Sequence, residues 1–303
     1  MSSRSEFGQT GTEGSDGGLL GGGRWLRQTK AFALRNLRAT LRTKATILWG
    51  FGFPAFWYFV TSLLFLPDAG DIGPGATIGE IKGATAVSLG LFGVLTVTLV
   101  AFASGLGEDL TAKRYRKLRS LPVAPSADFV GRYLAGVAVA AVSYVLVLLV
   151  GFVDGAEYAL HGPGSVPVVT VSFLLFSLVG VSLAVLVTWL VEDSEIVVGI
   201  TNAILLVSFF LTGYNGMNPE LLPEETRQIV NIAPNSLASR LQTFHLTETP
   251  ATTPTGAQTG GVTPPSFPVE LEFVALLAVW AVAFGVVASV LMDQAVYRGE
   301  GGE

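Results

Sequence analysis

Cysteine is absent from all 303 residues, which excludes disulfides, thiolate metal sites and a cysteine nucleophile. Histidine is nearly absent: His161 and His245 are the only two, and neither has carboxylates or serines nearby in a catalytic or metal-binding spacing, so both read as solvated loop groups. The pattern Gly-x-x-x-x-Gly-Lys-Ser/Thr does not occur, and the glycine-rich Gly21-Gly22-Gly23-Arg24 lacks the lysine and hydroxyl that would cradle phosphate. No Asn-x-Ser/Thr sequon is present. Charge is scarce as well, at 14% of residues, and no Asp, Glu, Lys, Arg or His falls well inside a long apolar run. Carriers driven by protons or ions usually keep an ionisable group at membrane depth, so ion coupling finds little support here.

Half of the residues are hydrophobic and the mean hydropathy is +0.57, too apolar for a soluble domain of this length. The fold class is all-α: a polytopic membrane protein. A bilayer core of about 30 Å takes about 20 apolar residues per helix, and six stretches qualify, near 46–66, 84–106, 129–153, 166–191, 196–213 and 271–292. The fifth is short and follows the acidic turn Glu192-Asp193-Ser194-Glu195, which reads as solvated. Six crossings put both termini on one side, and fifteen Lys and Arg then fall on that side against three on the other. Basic residues stay in the cytoplasm, so the expected location is the cell membrane, multi-pass, with both termini cytoplasmic.

Residues 1–23 hold eight glycines and read as a disordered cytoplasmic tail rather than a signal peptide. From Arg24 to Lys44 the periodicity predicts a helix with Leu26, Leu34, Leu37 and Leu41 on one arc and Arg24, Arg27, Arg35, Arg38 and Arg42 on the next. Such a helix lies in the interface against anionic lipid. The first membrane stretch is aromatic-rich and carries Pro54, a residue that neighbouring helices can tolerate without a functional kink. Asn202, the most polar intramembrane position, is a possible pathway residue, with interhelical hydrogen bonding favoured. Beyond the fifth stretch the chain breaks outward through Gly213, Tyr214, Gly216, Pro219, Pro223 and Pro234, and broken helices in transporters often line the pathway. Residues 247–268 form a Thr/Pro/Gly-rich outer linker, and 299–303 a short tail.

Between the second and third stretches lies a basic segment: Glu108, Asp109, Lys113, Arg114, Arg116, Lys117, Leu118, Arg119, Leu121 and Pro122. An acidic pair, a basic stretch and then Leu121-Pro122-Val123, followed by Asp128 and Gly131-Arg132-Tyr133, resemble the loop after the second span in the membrane subunit of ABC-2 type exporters. The spaced glycines and prolines outside the fifth stretch are similar to that family's second signature. The resemblance covers about 24–298; Tyr115 stands where the family's basic loop usually has glycine, and the outer linker is long. It implies a permease that binds no cofactor itself, with ATP and Mg on a separate ABC ATPase present in two copies. It also implies a second permease subunit, expected to be identical, and export of a small molecule, drug, lipid or glycan. The loop helix would sit in a groove of the ATPase, with Arg114, Arg116, Lys117 and Arg119 positioning it and Leu118 and Leu121 anchoring it. The expected chain is therefore no enzyme, and its partners are the ATPase, a second copy and lipid, with no nucleic acid. A secondary transporter and a non-transporting membrane scaffold are the alternative classes, since a basic cytoplasmic loop alone suits either.

Overall fold

The computed structural model describes residues 17–66, 77–191, 193–211, 232–248 and 271–297, and every regular element within them is helical. In chain order these are α1 (Gly17–Arg42), α2 (Ile47–Leu64), α3 (Ile78–Thr111), α4 (Arg114–Arg119), α5 (Pro125–Val153), α6 (Ser165–Leu190), α7 (Ser194–Leu211), α8 (Pro234–Leu246) and α9 (Leu271–Leu291). Helix α1 begins at Gly17 rather than Arg24, so part of the expected tail is helical. Five helices, α2, α3, α5, α6 and α9, are long and apolar enough to cross a membrane, and the apolar part of α7, Ser194–Phe209, is shorter than that.

Helix α3 is the axis of the bundle. It begins on a capping box, in which Thr77 and Glu80 satisfy each other's backbone N–H groups. Its 34 residues span about 51 Å at 1.5 Å per residue, longer than a hydrocarbon core, so its C-terminal turns project past the apolar layer. Helix α2 meets it at Pro54. Proline cannot donate to the Gly50 carbonyl one turn back; the Ser143 hydroxyl of α5 donates to that carbonyl instead. The preceding turns, Ile47–Gly52, widen into a π-helix. The proline is thus accommodated by a neighbour, and its ring lies against Gly93 of α3.

The helices share two ends. At one, the loop end, Leu106, Tyr115, Phe129, Val181, Val185, Ala288 and Met292 cluster, which gathers the ends of α3, α6 and α9 and the start of α5. At the far end Asp154, just past α5, accepts hydrogen bonds from Tyr58 and Ser62 of α2 and pairs with Lys82 of α3 at 3.0 Å. Helix α7 starts at the loop end, where Asp193 Oδ1 accepts the N–H groups of Glu195 and Ile196 and Ser194 lies against Gly107. The acidic turn is therefore also a helix cap. Helix α7 then rises to Phe209, whose ring meets Phe92 at 4.5 Å.

Helix α8 continues from there. Asn235 Nδ2 donates to Ser208 O at 2.7 Å, and at the other end of α8 the Leu246 carbonyl accepts the Ala159 N–H at 2.9 Å. Helices α7 and α8 thus lie end over end between the two ends of the bundle. Helix α8 is buried among α3, α6 and α9, while the break expected between it and the fifth stretch lies mostly outside the described residues. Arg240 of α8, outside the six apolar stretches, is 4% exposed. Of the expected outer gate only Pro234, the first residue of α8, is described; Gly213, Tyr214, Gly216, Pro219 and Pro223 lie outside the described residues, as do most of the 247–268 linker, residues 299–303 and residues 1–16.

Candidate functional site

The loop between α3 and α5 is built on an abrupt reversal. Helix α3 ends as Ala112 and Lys113 bond back to Glu108 and Leu110, and Lys113 adopts a left-handed backbone with φ 53°. That conformation stops one helix and lets α4 start at Arg114. After α4, Pro125 at the first turn opens α5 with its φ already helical.

Beneath α4 lies a buried polar hub. Asp109, 3% exposed, accepts from Arg35 of α1 at 3.1 and 3.2 Å, from Arg114 of α4 and from Arg132 of α5. Asp128, fully buried, accepts from Arg132 Nε at 3.0 Å and from the Tyr115 hydroxyl at 2.9 Å. The Arg132 guanidinium also stands 5.8 Å from the centre of the Tyr115 ring, in range of a cation–π attraction. Two carboxylates and three guanidiniums thus join four helices. Such groups are costly to bury singly and tolerable only when paired, so the hub holds α1, α3, α4 and α5 in one arrangement.

Helix α1 adds a second grip. Arg24 and Gln28 both donate to the Pro122 carbonyl, Gln28 at 2.9 Å, while the Gln28 Oε1 accepts the Ala124 N–H at 3.1 Å and Trp25 Nε1 donates to Ser126 at 3.0 Å. Its seat on α5 is Gly131: a Cβ there would meet Phe32 Cβ at 2.6 Å and the Thr29 carbonyl at 2.8 Å, so only glycine allows the approach. The buried arc of α1 is therefore Thr29 and Phe32. Leu26, Leu34 and Leu41 face outward, exposed with Arg27, Arg38 and Arg42.

The loop residues accordingly divide. Asp109 is internal, Arg114 is latched to it, and Leu118 packs against the cluster containing Leu106 and Tyr115. Glu108, Lys113, Arg116, Lys117, Arg119, Leu121 and Pro122 are exposed, Leu121 by 54%. Arg24 and Arg35, expected beside lipid, are instead protein contacts. Asn202 is exposed on α7, its amide bonded to the Val198 carbonyl at 2.9 Å. Asp128 and Arg132 were legible as an i, i+4 ion pair. Trp25, Gln28 and the Tyr115 hydroxyl carried no sequence signal. Among the described residues no three His, Cys, Asp or Glu side chains come together as a metal site.

The chemistry of this site is mechanical: an exposed basic turn keyed by buried ion pairs to an amphipathic helix and two membrane helices. Residues 27–238 match the family described as ABC-2 type transporter, a stretch that holds the hub, α4, most of α1 and the start of α8. No curated protein matches the chain significantly. With well over half of its length inside that match, and with the loop between its second and third membrane helices built as described, the chain belongs to the ABC-2 type transporter family.

Proposed function

We propose that this chain is the permease of an ATP-driven exporter, working as two identical copies with two ABC ATPase subunits that carry ATP and Mg. Helices α7 and α8 together count as the fifth crossing, which makes six and puts both termini in the cytoplasm of a cell-membrane protein. The fifteen basic residues on that side support this orientation. The outward arc of α1, with Arg27, Arg38 and Arg42 beside Leu26, Leu34 and Leu41, rests in the anionic leaflet. Gly213, Tyr214, Gly216, Pro219, Pro223 and Pro234 form the outer gate, and Asn202 borders the pathway. The solute is a small molecule, drug, lipid or glycan moved outward.

The observation that carries this reading is the α4 turn. Its exposed side presents Arg116, Lys117, Arg119 and Leu121, while its buried side is tied through Asp109, Arg132 and Asp128 to α1, α3 and α5. A partner that seats on the exposed side and moves displaces those helices with it, because paired buried charges hold a fixed geometry. The chain itself then hydrolyses nothing.

Purification of the tagged full chain in mild detergent should retain a P-loop ATPase in equal amount. The double variant Lys117→Glu, Leu121→Asp should release it without altering membrane insertion. A chain that purifies alone in several detergents, or an ATPase that stays with the double variant, would overturn the docking assignment.

A further inference from the structure

Helix α1 is charged with one sign only. Between Gly17 and Arg42 it holds six basic residues and no acidic one. Arg35 is neutralised by Asp109, while Arg27, Lys30, Arg38 and Arg42 are exposed and, among the described residues, pair with no carboxylate. Arg27 with Lys30, Arg35 with Arg38 and Arg38 with Arg42 stand three or four residues apart, a spacing at which like charges repel. The relieving counter-charge has to come from outside the helix. At 100° per residue Arg27, Arg38 and Arg42 follow one another around α1, beside the exposed arc of Leu26, Leu34 and Leu41. Residues 43–46 tie that arc directly to α2, the first membrane helix, so leucines and arginines are held together where a leaflet meets the cytoplasm.

The other side of α1 holds the exit of the docking turn. Residues 122–124 have no regular structure of their own. The Pro122 carbonyl accepts from Arg24 and Gln28, the Ala124 N–H donates to Gln28 Oε1, and the Ser126 hydroxyl accepts from Trp25. All three partners fall within residues 24–28, so they let go together if α1 lifts. The placement of Lys117, Arg119 and Leu121 is therefore as firm as the seat of α1. A leaflet can shift that seat only by binding the seated helix better than the unseated chain. It does so because only the formed helix gathers Arg27, Arg38 and Arg42 on one arc, whereas a frayed segment spreads them.

We propose that α1 couples the charge of the leaflet to the docking turn. Anionic lipid headgroups on Arg27, Lys30, Arg38 and Arg42 seat the helix, the seated helix fixes residues 122–126 through Gln28, Arg24 and Trp25, and ATPase binding strengthens with the anionic lipid content of the membrane. By linkage, a bound ATPase strengthens the hold of α1 on anionic lipid in equal measure. This rests on the permease reading and supplies its regulation.

The test follows hydrogen–deuterium exchange of the purified full chain in nanodiscs of phosphatidylcholine alone and of phosphatidylcholine mixed equally with phosphatidylglycerol. Amides of 24–42 and of 120–126 should exchange about tenfold more slowly in the anionic discs, a modest share of what several basic groups gain at such a surface. The triple variant Arg27→Gln, Lys30→Gln, Arg38→Gln should lose that slowing at both segments. In phosphatidylcholine it should exchange no faster than wild type, which separates lost lipid sensing from lost fold. Gln28→Ala should keep the slowing in α1 and lose most of it at 120–126. Equal exchange of 120–126 in the two discs, or slowing spread evenly over α3, α5 and α6, would overturn the proposal, as would a triple variant that responds like wild type. ATPase retention is read on the same samples. A chain whose loop follows the lipid but which retains no ATPase keeps the leaflet-to-loop coupling and fails the permease reading. One that retains as much ATPase in both discs, with an unresponsive loop, fails this proposal alone.

Discussion

Arg132 is the residue on which the loop end depends. It stands between Asp109 and Asp128, and removing it leaves two buried carboxylates short of a cation. Arg132→Leu is therefore expected to cost about 3–5 kcal/mol, the range for breaking one side of a buried pair, measured as a lowered unfolding temperature in detergent. Protease cleavage within 112–124 should rise in parallel, since α4 loses its anchor. Lys113 offers the opposite test. Its left-handed backbone strains a side chain that glycine would not carry, so Lys113→Gly is expected to stabilise the chain by about 1 kcal/mol. The glycine that the basic loop lacks at Tyr115 would gain nothing there, because Tyr115 is buried and its hydroxyl donates to Asp128. A sequence comparison sees Tyr115 as a departure; the fold makes it part of the hub.

Among the elements, α1 is the one whose periodicity was readable and whose seat was not. The leucine arc of α1 was legible, yet the face packed on α5 is Thr29 and Phe32, a small and an aromatic residue fitted against Gly131. Hydropathy cannot separate an arc that meets lipid from one that meets protein, since both are apolar. Gly131→Val should push α1 off α5, costing about 1–3 kcal/mol as overpacking does, and should expose α1 to limited proteolysis. Helix α8 had no such signal beyond Pro234, and its burial rests on the partners of Ser239 and Gln242 on α3 and α6, far away in sequence. Helix α2 gives a third case. Ser143→Ala would leave the Gly50 carbonyl without the donor that Pro54 denies it, at a cost of about 1–3 kcal/mol, and a Pro54→Ala background should abolish most of that penalty.

At the scale of the molecule, the far end is tied by groups that titrate. Burial works against ionisation of Asp154, but hydrogen bonds from Ser62, Lys82 and Tyr58 prevail and hold its carboxyl below the usual range. Its folded value is depressed, so the unfolded chain takes up the proton first as pH falls. Its contribution persists to about pH 4 and is lost below it. Unfolding temperature should therefore drop as pH falls below about 4, and Asp154→Asn should flatten that drop. A wild-type profile flat over this interval would remove Asp154 from the account.

The sequence by itself determined the membrane class, the helical content, the orientation bias of the basic residues and the basic loop between the second and third membrane helices. These depend on composition and local periodicity, which water and lipid read without knowing the fold. Only the tertiary structure decided that Asp109 and Arg114 face each other rather than a partner, that α1 grips the loop exit through Arg24, Trp25 and Gln28, and that α8 is buried with its polar side turned inward. Each of those arrangements joins residues from different helices, and the energy of a buried ion pair or an unpaired amide depends on which neighbour supplies the other half.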